Sequence, residues 1–319
     1  MTKWLGQAAL SVAVLALVAW AVVDEWPDLS DWQRAFDGPS LVAAGALWLA
    51  MMTTILLRGL RWVALLGGTV PLPATRLLLG AGWCQMLLNL MPLRAGEAAA
   101  PLWVKLHGGS AGYAVGAAMI ERVLDFLSVV LMVGLVALVW EGQDNPWRHV
   151  GAGWIGVVVA LYLGLALWGR RLGRVMAPRL GDWGRRGALR AKIAGAATSV
   201  LDGLLAISDF RRHRLVLALT ALSWLVSLAG FHVYLSTLLP DLPLAASLLA
   251  LAFVSLANVI AVVPTNVGLF QAAGLLALTG FGVAAAPSLV AATGLHLVAT
   301  VAVVVYGLTC HVLLMPGRA

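Results

Sequence analysis

Long apolar stretches separated by short polar clusters dominate the chain. Crossing a bilayer as a helix takes roughly 20 mostly apolar residues. Six stretches approach or exceed that length: Leu5–Val23, Leu41–Leu57, Tyr113–Trp140, Gly151–Trp168, Leu215–Leu239 and Ser288–Leu314. Two more, Ala74–Gly109 and Leu244–Gly282, are broken near their middles, at Met91-Pro92-Leu93-Arg94-Ala95-Gly96-Glu97 and at Pro264-Thr265-Asn266-Val267-Gly268. Ala19-Trp20-Ala21 has the small-x-small pattern of a signal-peptidase site. The apolar run before it is longer than a usual signal core, so it is read as the first span.

Composition agrees with the pattern. The 319 residues are 61% hydrophobic and only 11% charged, whereas a soluble domain carries about 25% charged residues. A soluble enzyme, a disordered chain and a disulfide scaffold are excluded. A net charge of +7 would suggest nucleic acid in a soluble protein. Here it reads as a topology signal, and no nucleic-acid partner is expected. Cys84 and Cys310 lie in apolar runs, and no Cys/His cluster, phosphate-binding glycine loop or nucleophile elbow is present. No metal, cofactor or enzymatic activity is therefore expected. Trp62 is one of eight tryptophans that flank apolar runs, as an interfacial belt would.

Charge sets the orientation. Residues 170–214 carry 11 Lys/Arg and read as cytoplasmic, whereas residues 24–39 carry five acids against Arg34 and read as external. Residues 58–76, with Arg58, Arg61 and Arg76, read as an inner loop. Both inner segments stay inside only if Ala74–Gly109 enters from the cytoplasm and returns to it. If Ala74–Met91 spanned alone, the 11-charge segment would lie outside. By the same parity, Leu244–Gly282 enters from outside and returns there. Both termini are then cytoplasmic.

The predicted fold is all-α: a polytopic helical membrane protein with about six spanning helices and two re-entrant hairpins, forming one integral domain over 1–319. The order helix, helix, hairpin, helix recurs with opposite orientation in 1–149 and 150–319, an inverted repeat of the kind secondary transporters use. Pro92 and Gly96 echo Pro264 and Gly268, and Asn89 and Asn258 precede them. Chance similarity between Ala/Leu-rich helices gives the same echo. Within 170–214, Leu189, Ile193, Ala197, Val200, Leu204 and Ile207 recur at helical spacing. That segment is either a basic amphipathic helix on the cytoplasmic leaflet or a solvated linker helix.

Five charges remain that belong neither to loops nor to interfaces: Arg94, Glu97, Glu121, Arg122 and Asp125. Each costs at least about 2.5 kcal/mol at bilayer depth unless paired or facing a polar cavity. Glu121 and Asp125 share a helix face, and Arg122 and Asp125 are three apart. Two acids so close share a proton unless an arginine sits between them. A proton-coupled step and a static ion-pair lock both fit. The second break offers Asn258, Asn266 and Gln271, with His296 on the next helix, and Asn89 joins them as a candidate substrate-binding residue.

These motifs resemble the transmembrane region of lysylphosphatidylglycerol synthases and its stand-alone, flippase-like relatives. The similarity rests on Asn89-Leu-Met-Pro92-Leu-Arg94-Ala-Gly96-Glu97, Glu121-Arg122-Val-Leu-Asp125 and Pro264-Thr-Asn266-Val-Gly268, in that order over nearly the whole chain. The resemblance implies a translocator of a phospholipid or lipid-linked headgroup in the cytoplasmic membrane. It also implies a lipid partner of anionic or polyprenyl-phosphate type and, in the fused enzymes, movement of an aminoacylated lipid. Two departures stand out. Ala98-Ala99-Ala100-Pro101 replaces a stretch where the family often carries a further Arg. The soluble aminoacyl-transfer domain has no counterpart in these residues, so lipid aminoacylation is not expected. Two other readings remain: a membrane enzyme using Glu121 or Asp125 as base, and a non-catalytic accessory subunit beside a synthase or transferase.

Overall fold

The computed structural model describes residue 16 and residues 27–139, 147–185, 187–204, 210–260 and 264–315. Apart from Ala16, the predicted span Leu5–Val23 lies outside the described residues. A short helix α1 (Leu29–Arg34) opens on a capping box, in which Asp28 and Asp31 each accept the other's backbone N–H. Asp37 then caps α2 (Gly38–Leu66) by accepting the Ser40 N–H at 2.8 Å.

Four helices of the described residues are long and apolar enough to cross a membrane: α2, α5 (Ala111–Val139), α8 (Phe210–Leu238) and α11 (Ala285–Leu314). They match four of the predicted spans, and the fifth, Gly151–Trp168, lies inside α6 (Trp147–Gly184). The protein is a helical membrane protein. Between α2 and α5 run α3 (Ala74–Leu90) and α4 (Ala99–Leu106); between α8 and α11 run α9 (Leu244–Ile260) and α10 (Leu269–Thr279). Helices α3 and α9 have 17 residues each, or about 25 Å, short of a hydrocarbon core of about 30 Å. The segment predicted to be amphipathic contains α7 (Ala188–Leu204), which packs on α5 and α6. Its Leu189 and Ile193 are exposed and its Ala194 is buried.

Both breaks fall where the prolines and glycines predict. The first is a tight helical turn over Pro92–Ala98. A Cβ on Gly96 would collide with the Leu87 carbonyl oxygen and the Leu88 Cα, so the returning chain lies directly on α3. In the second, Thr265 and Asn266 adopt φ of 53° and 59° and Gly268 one of 86°, which reverses the chain within a few residues. A β-branched threonine at positive φ is strained.

Two apolar cores occupy opposite ends of the bundle. One gathers Trp62 and Leu65 of α2, Leu77 of α3, Trp103 of α4 and Ile120 and Leu124 of α5. The other gathers Leu47 of α2, Met132 of α5, Leu235 of α8, Ala250 of α9 and Leu295 of α11. Trp62 is thus a core residue packed against Trp103 with ring centroids 6.0 Å apart, and not part of an interfacial belt. Helices α2 and α8 pack along each other, and Arg58 and Arg61 of α2 and Glu121 and Asp125 of α5 sit beside Thr220 and Trp224 of α8 where one core gives way to the other.

Candidate functional site

The centre of the charged site is a residue that the hydrophobic pattern placed in a loop. Helix α2 does not stop at Leu57 but continues through Arg58 and Arg61 to Leu66. Both arginines therefore belong to the bundle, and the predicted inner loop starts nine residues later than the pattern indicates. Arg61 is 2% exposed. Its Nε donates to Glu121 Oε1 at 2.9 Å, while Nη1 and Nη2 donate to the two Asp125 oxygens at 2.9 and 3.2 Å. Nη1 also donates to the Thr220 hydroxyl at 3.1 Å, which in turn donates to the Val216 carbonyl. Four of these bonds hold one guanidinium between three helices, and a bidentate carboxylate is the geometry that planar group favours. Arg61 is the arginine that the paired acids required between them.

Arg58, three residues earlier on the same helix, has different surroundings. Among the described residues no carboxylate lies within ion-pair distance of it. Its guanidinium carbon sits 5.6 Å from the Trp224 ring centroid, a cation–π contact, and its Nε is a buried donor without an acceptor. Towards the break, Arg122 pairs with Glu97 at 3.6 Å, and both side chains are nearly half exposed.

These groups line one cavity of about 770 Å3, together with Gln85 and Lys105. Glu97, Glu121, Arg122 and Asp125 of the predicted set are brought together there. Arg94 lies in the first break, and its side chain is outside the described residues. The five predicted charges alone carry a formal −1. Among the described residues the cavity instead presents four cations, Arg58, Arg61, Lys105 and Arg122, against three carboxylates.

The remaining predicted residues form a second, uncharged cluster. Asn266 Nδ2 donates to Asn258 Oδ1 at 2.5 Å. The Gly268 N–H donates to Gln271 Oε1 at 2.8 Å, which leaves the Gln271 amide nitrogen to donate to His296 Nδ1 at 3.1 Å. His296 Nδ1 must then accept, so the proton of the neutral ring is on Nε2, which donates to the Thr265 carbonyl at 2.7 Å. Phe270 stacks on the same ring at 4.6 Å. His296 thus fastens the strained Thr265 to α11. Asn89 donates to its own helix, at the Gln85 carbonyl, and borders a cavity of about 70 Å3 with Asn258, Thr265 and His296. That volume suits a few waters and not a headgroup.

Arg58, Arg61 and Thr220 are the residues of this candidate site that the pattern did not mark. A signal exists for them. Thr54, Arg58 and Arg61 fall on one helix face, an apolar Trp62-Val-Ala-Leu-Leu66 follows, and Thr220, Ser223 and Ser227 recur at helical spacing in an otherwise apolar stretch. Thr54 and Ser227 hydroxyls meet at 3.0 Å, so the two stripes face each other.

Fold and site together define a polytopic helical membrane protein with a buried, arginine-centred charge cluster. The chain belongs to the family described as lysylphosphatidylglycerol synthase TM region, which it matches over residues 6–307. Comparisons with curated proteins and with solved structures gave no match.

Proposed function

We propose that this chain carries the polar headgroup of a membrane phospholipid or lipid-linked molecule across the bilayer while the tails stay in the hydrocarbon. The sidedness of the 770 Å3 cavity carries this reading. Its inner wall holds Arg58, Arg61, Glu121 and Asp125. Leu102, Val115, Met119 and Val123 also line it and are 55%, 37%, 47% and 40% exposed, so apolar side chains form an accessible wall opposite the charges. Such a cavity has a polar interior and an apolar side opening. A headgroup placed inside exchanges water for fixed charges, and tails leaving through the apolar wall remain in lipid. A water-soluble substrate has no use for that opening.

Two inverted halves, 1–149 and 150–319, belong to the same proposal. An exchange of partners supports them: α3 of the first half packs on α11 of the second, α9 of the second packs on α5 of the first, and α2 packs on its counterpart α8. The shortness of α3 and α9 supports re-entrant hairpins. The Lys/Arg excess of residues 170–214 supports the cytoplasmic membrane, with that segment inside. An arginine between the two acids removes their need to share a proton, which favours an ion-pair lock over a proton relay.

Vesicles reconstituted with the purified chain should move a tail-labelled phospholipid between leaflets faster than protein-free vesicles. Equal rates overturn the reading. Reporter fusions after residues 110 and 283 should report cytoplasm and exterior respectively; the reverse at either site breaks the inverted repeat.

A further inference from the structure

The charges around the large cavity are not interchangeable, because some are already spent on each other. Each of its three carboxylates has an arginine partner: Glu121 and Asp125 on Arg61, and Glu97 on Arg122. A positively charged headgroup entering this cavity would meet no free carboxylate among the described residues. To gain one it would have to displace Arg61, which sits in a four-bond cradle and is 2% exposed, or part the half-exposed Glu97–Arg122 pair, which frees a cation for the carboxylate it releases. The cations are in the opposite position. Arg58 lines the same cavity with no carboxylate beside it, and its buried Nε lacks an acceptor. It is held in place by the face of Trp224, which supplies attraction to its charge but no hydrogen-bond acceptor. Lys105 adds a second cation to the lining. Leaving the Arg58 Nε buried and unmatched is costly, and an anionic oxygen is the complement that Arg58 and the exposed Lys105 both favour.

We infer that the cavity selects lipids by headgroup charge: it takes the phosphate of an anionic lipid whose headgroup carries no cation, with Arg58 as the phosphate anchor, and turns away an aminoacylated, cationic headgroup. This rests on the translocator reading above and narrows it. The family description names a lysyl lipid, so the assignment separates this chain's substrate from the one in that description. Arg58 acts by direct contact, whereas Trp224 is a positioning residue that fixes the guanidinium towards the cavity.

Selectivity is a property of the wild-type protein, so its test needs no variant to fold. The purified full-length chain is given phosphatidylglycerol, its lysyl ester, or inorganic phosphate, and binding is read by native mass spectrometry. Movement of the two tail-labelled lipids is then read in phosphatidylcholine vesicles. Phosphatidylglycerol should bind and move at least about tenfold better than the lysyl ester. Arg58→Gln should erase most of that preference, Arg58→Lys should retain it, and inorganic phosphate should not displace the lipid. Equal handling of both lipids, or preference for the lysyl ester, overturns the inference and leaves the translocator reading standing. A binding preference without movement keeps the inference and removes the translocator reading. Displacement by inorganic phosphate assigns the site to the free anion and overturns the lipid assignment.

Discussion

The guanidinium of Arg61 grips Asp125 with two hydrogen bonds at once, of 2.9 and 3.2 Å, and ties α2 to α5 across 64 residues of sequence. Glu121 and Thr220 complete the knot. Removing the arginine strands two carboxylates inside the bundle, and breaking a buried pair from one side costs about 3–5 kcal/mol. Arg61→Gln should therefore lower the thermal unfolding temperature in detergent sharply. Adding Glu121→Gln and Asp125→Asn to it should restore most of the loss, because neutral partners need no counter-charge. A single variant as stable as wild type would contradict the knot.

The Glu97–Arg122 pair is the opposite case. Its 3.6 Å separation and near-half exposure place it among contacts worth less than about 1 kcal/mol. Glu97→Gln should leave thermal stability almost unchanged. It should still alter the rate of lipid movement, since both residues line the cavity. A stability loss as large as that of Arg61→Gln would show that the pair is a structural lock.

His296 joins the second break to α11 through one donated and one accepted hydrogen bond. His296→Phe keeps an aromatic surface for Phe270 and removes both bonds. The Thr265 carbonyl and the Gln271 amide, both half-buried, are then left without their partner, at about 1–3 kcal/mol for the two together. Unfolding measurements in detergent should show a loss in that range, and a neutral outcome would mean that the strained turn holds itself.

The cap of α2 gives a pH dependence outside the membrane. Hydrogen bonds from the Ser40 side chain and backbone hold the Asp37 carboxyl below the usual carboxylate range. A depressed folded value means stability that is present above the unfolded value of about 3.9 and lost as pH falls through the folded one. Asp37→Asn keeps an acceptor and removes the titration. The wild type's advantage over this variant should hold near neutral pH and shrink on acidification below about pH 4. An advantage that is constant from neutral to acid pH contradicts the cap.

Much of the fold could be read from the chain because bilayer physics writes it there. Four spans correspond to long apolar helices of the structure, and Pro92, Gly96, Pro264 and Gly268 mark both breaks. The end of α2 was not legible for a physical reason. Arg58, Arg61 and Trp62, within five residues, imitate the basic, aromatic edge of a membrane span. Only Glu121 and Asp125, partners 60 and 64 residues away from Arg61, reveal that its charge is buried. The acids themselves were legible because no charged residue precedes Glu121 in its helix, which places both acids well inside the span. The grouping of Asn89, Asn258, Asn266, Gln271 and His296 with the charged residues did not hold. Asn258 bonds Asn266 and Gln271 bonds His296 near the smaller cavity, which Asn89 also borders, and no spacing rule discloses those pairs.

The central claim is that a lipid headgroup reaches Arg58 through the apolar opening beside α5. A photo-reactive, tail-labelled phosphatidylglycerol cross-linked to the protein in vesicles, followed by peptide mapping, tests it most directly. Labels should concentrate on Leu102 and on Val115, Met119 and Val123 of the cavity wall, and Arg58→Gln should disperse them. Labelling at the same level on outward positions remote from the opening, such as Leu225 and Leu297, with no change in Arg58→Gln, would contradict the account.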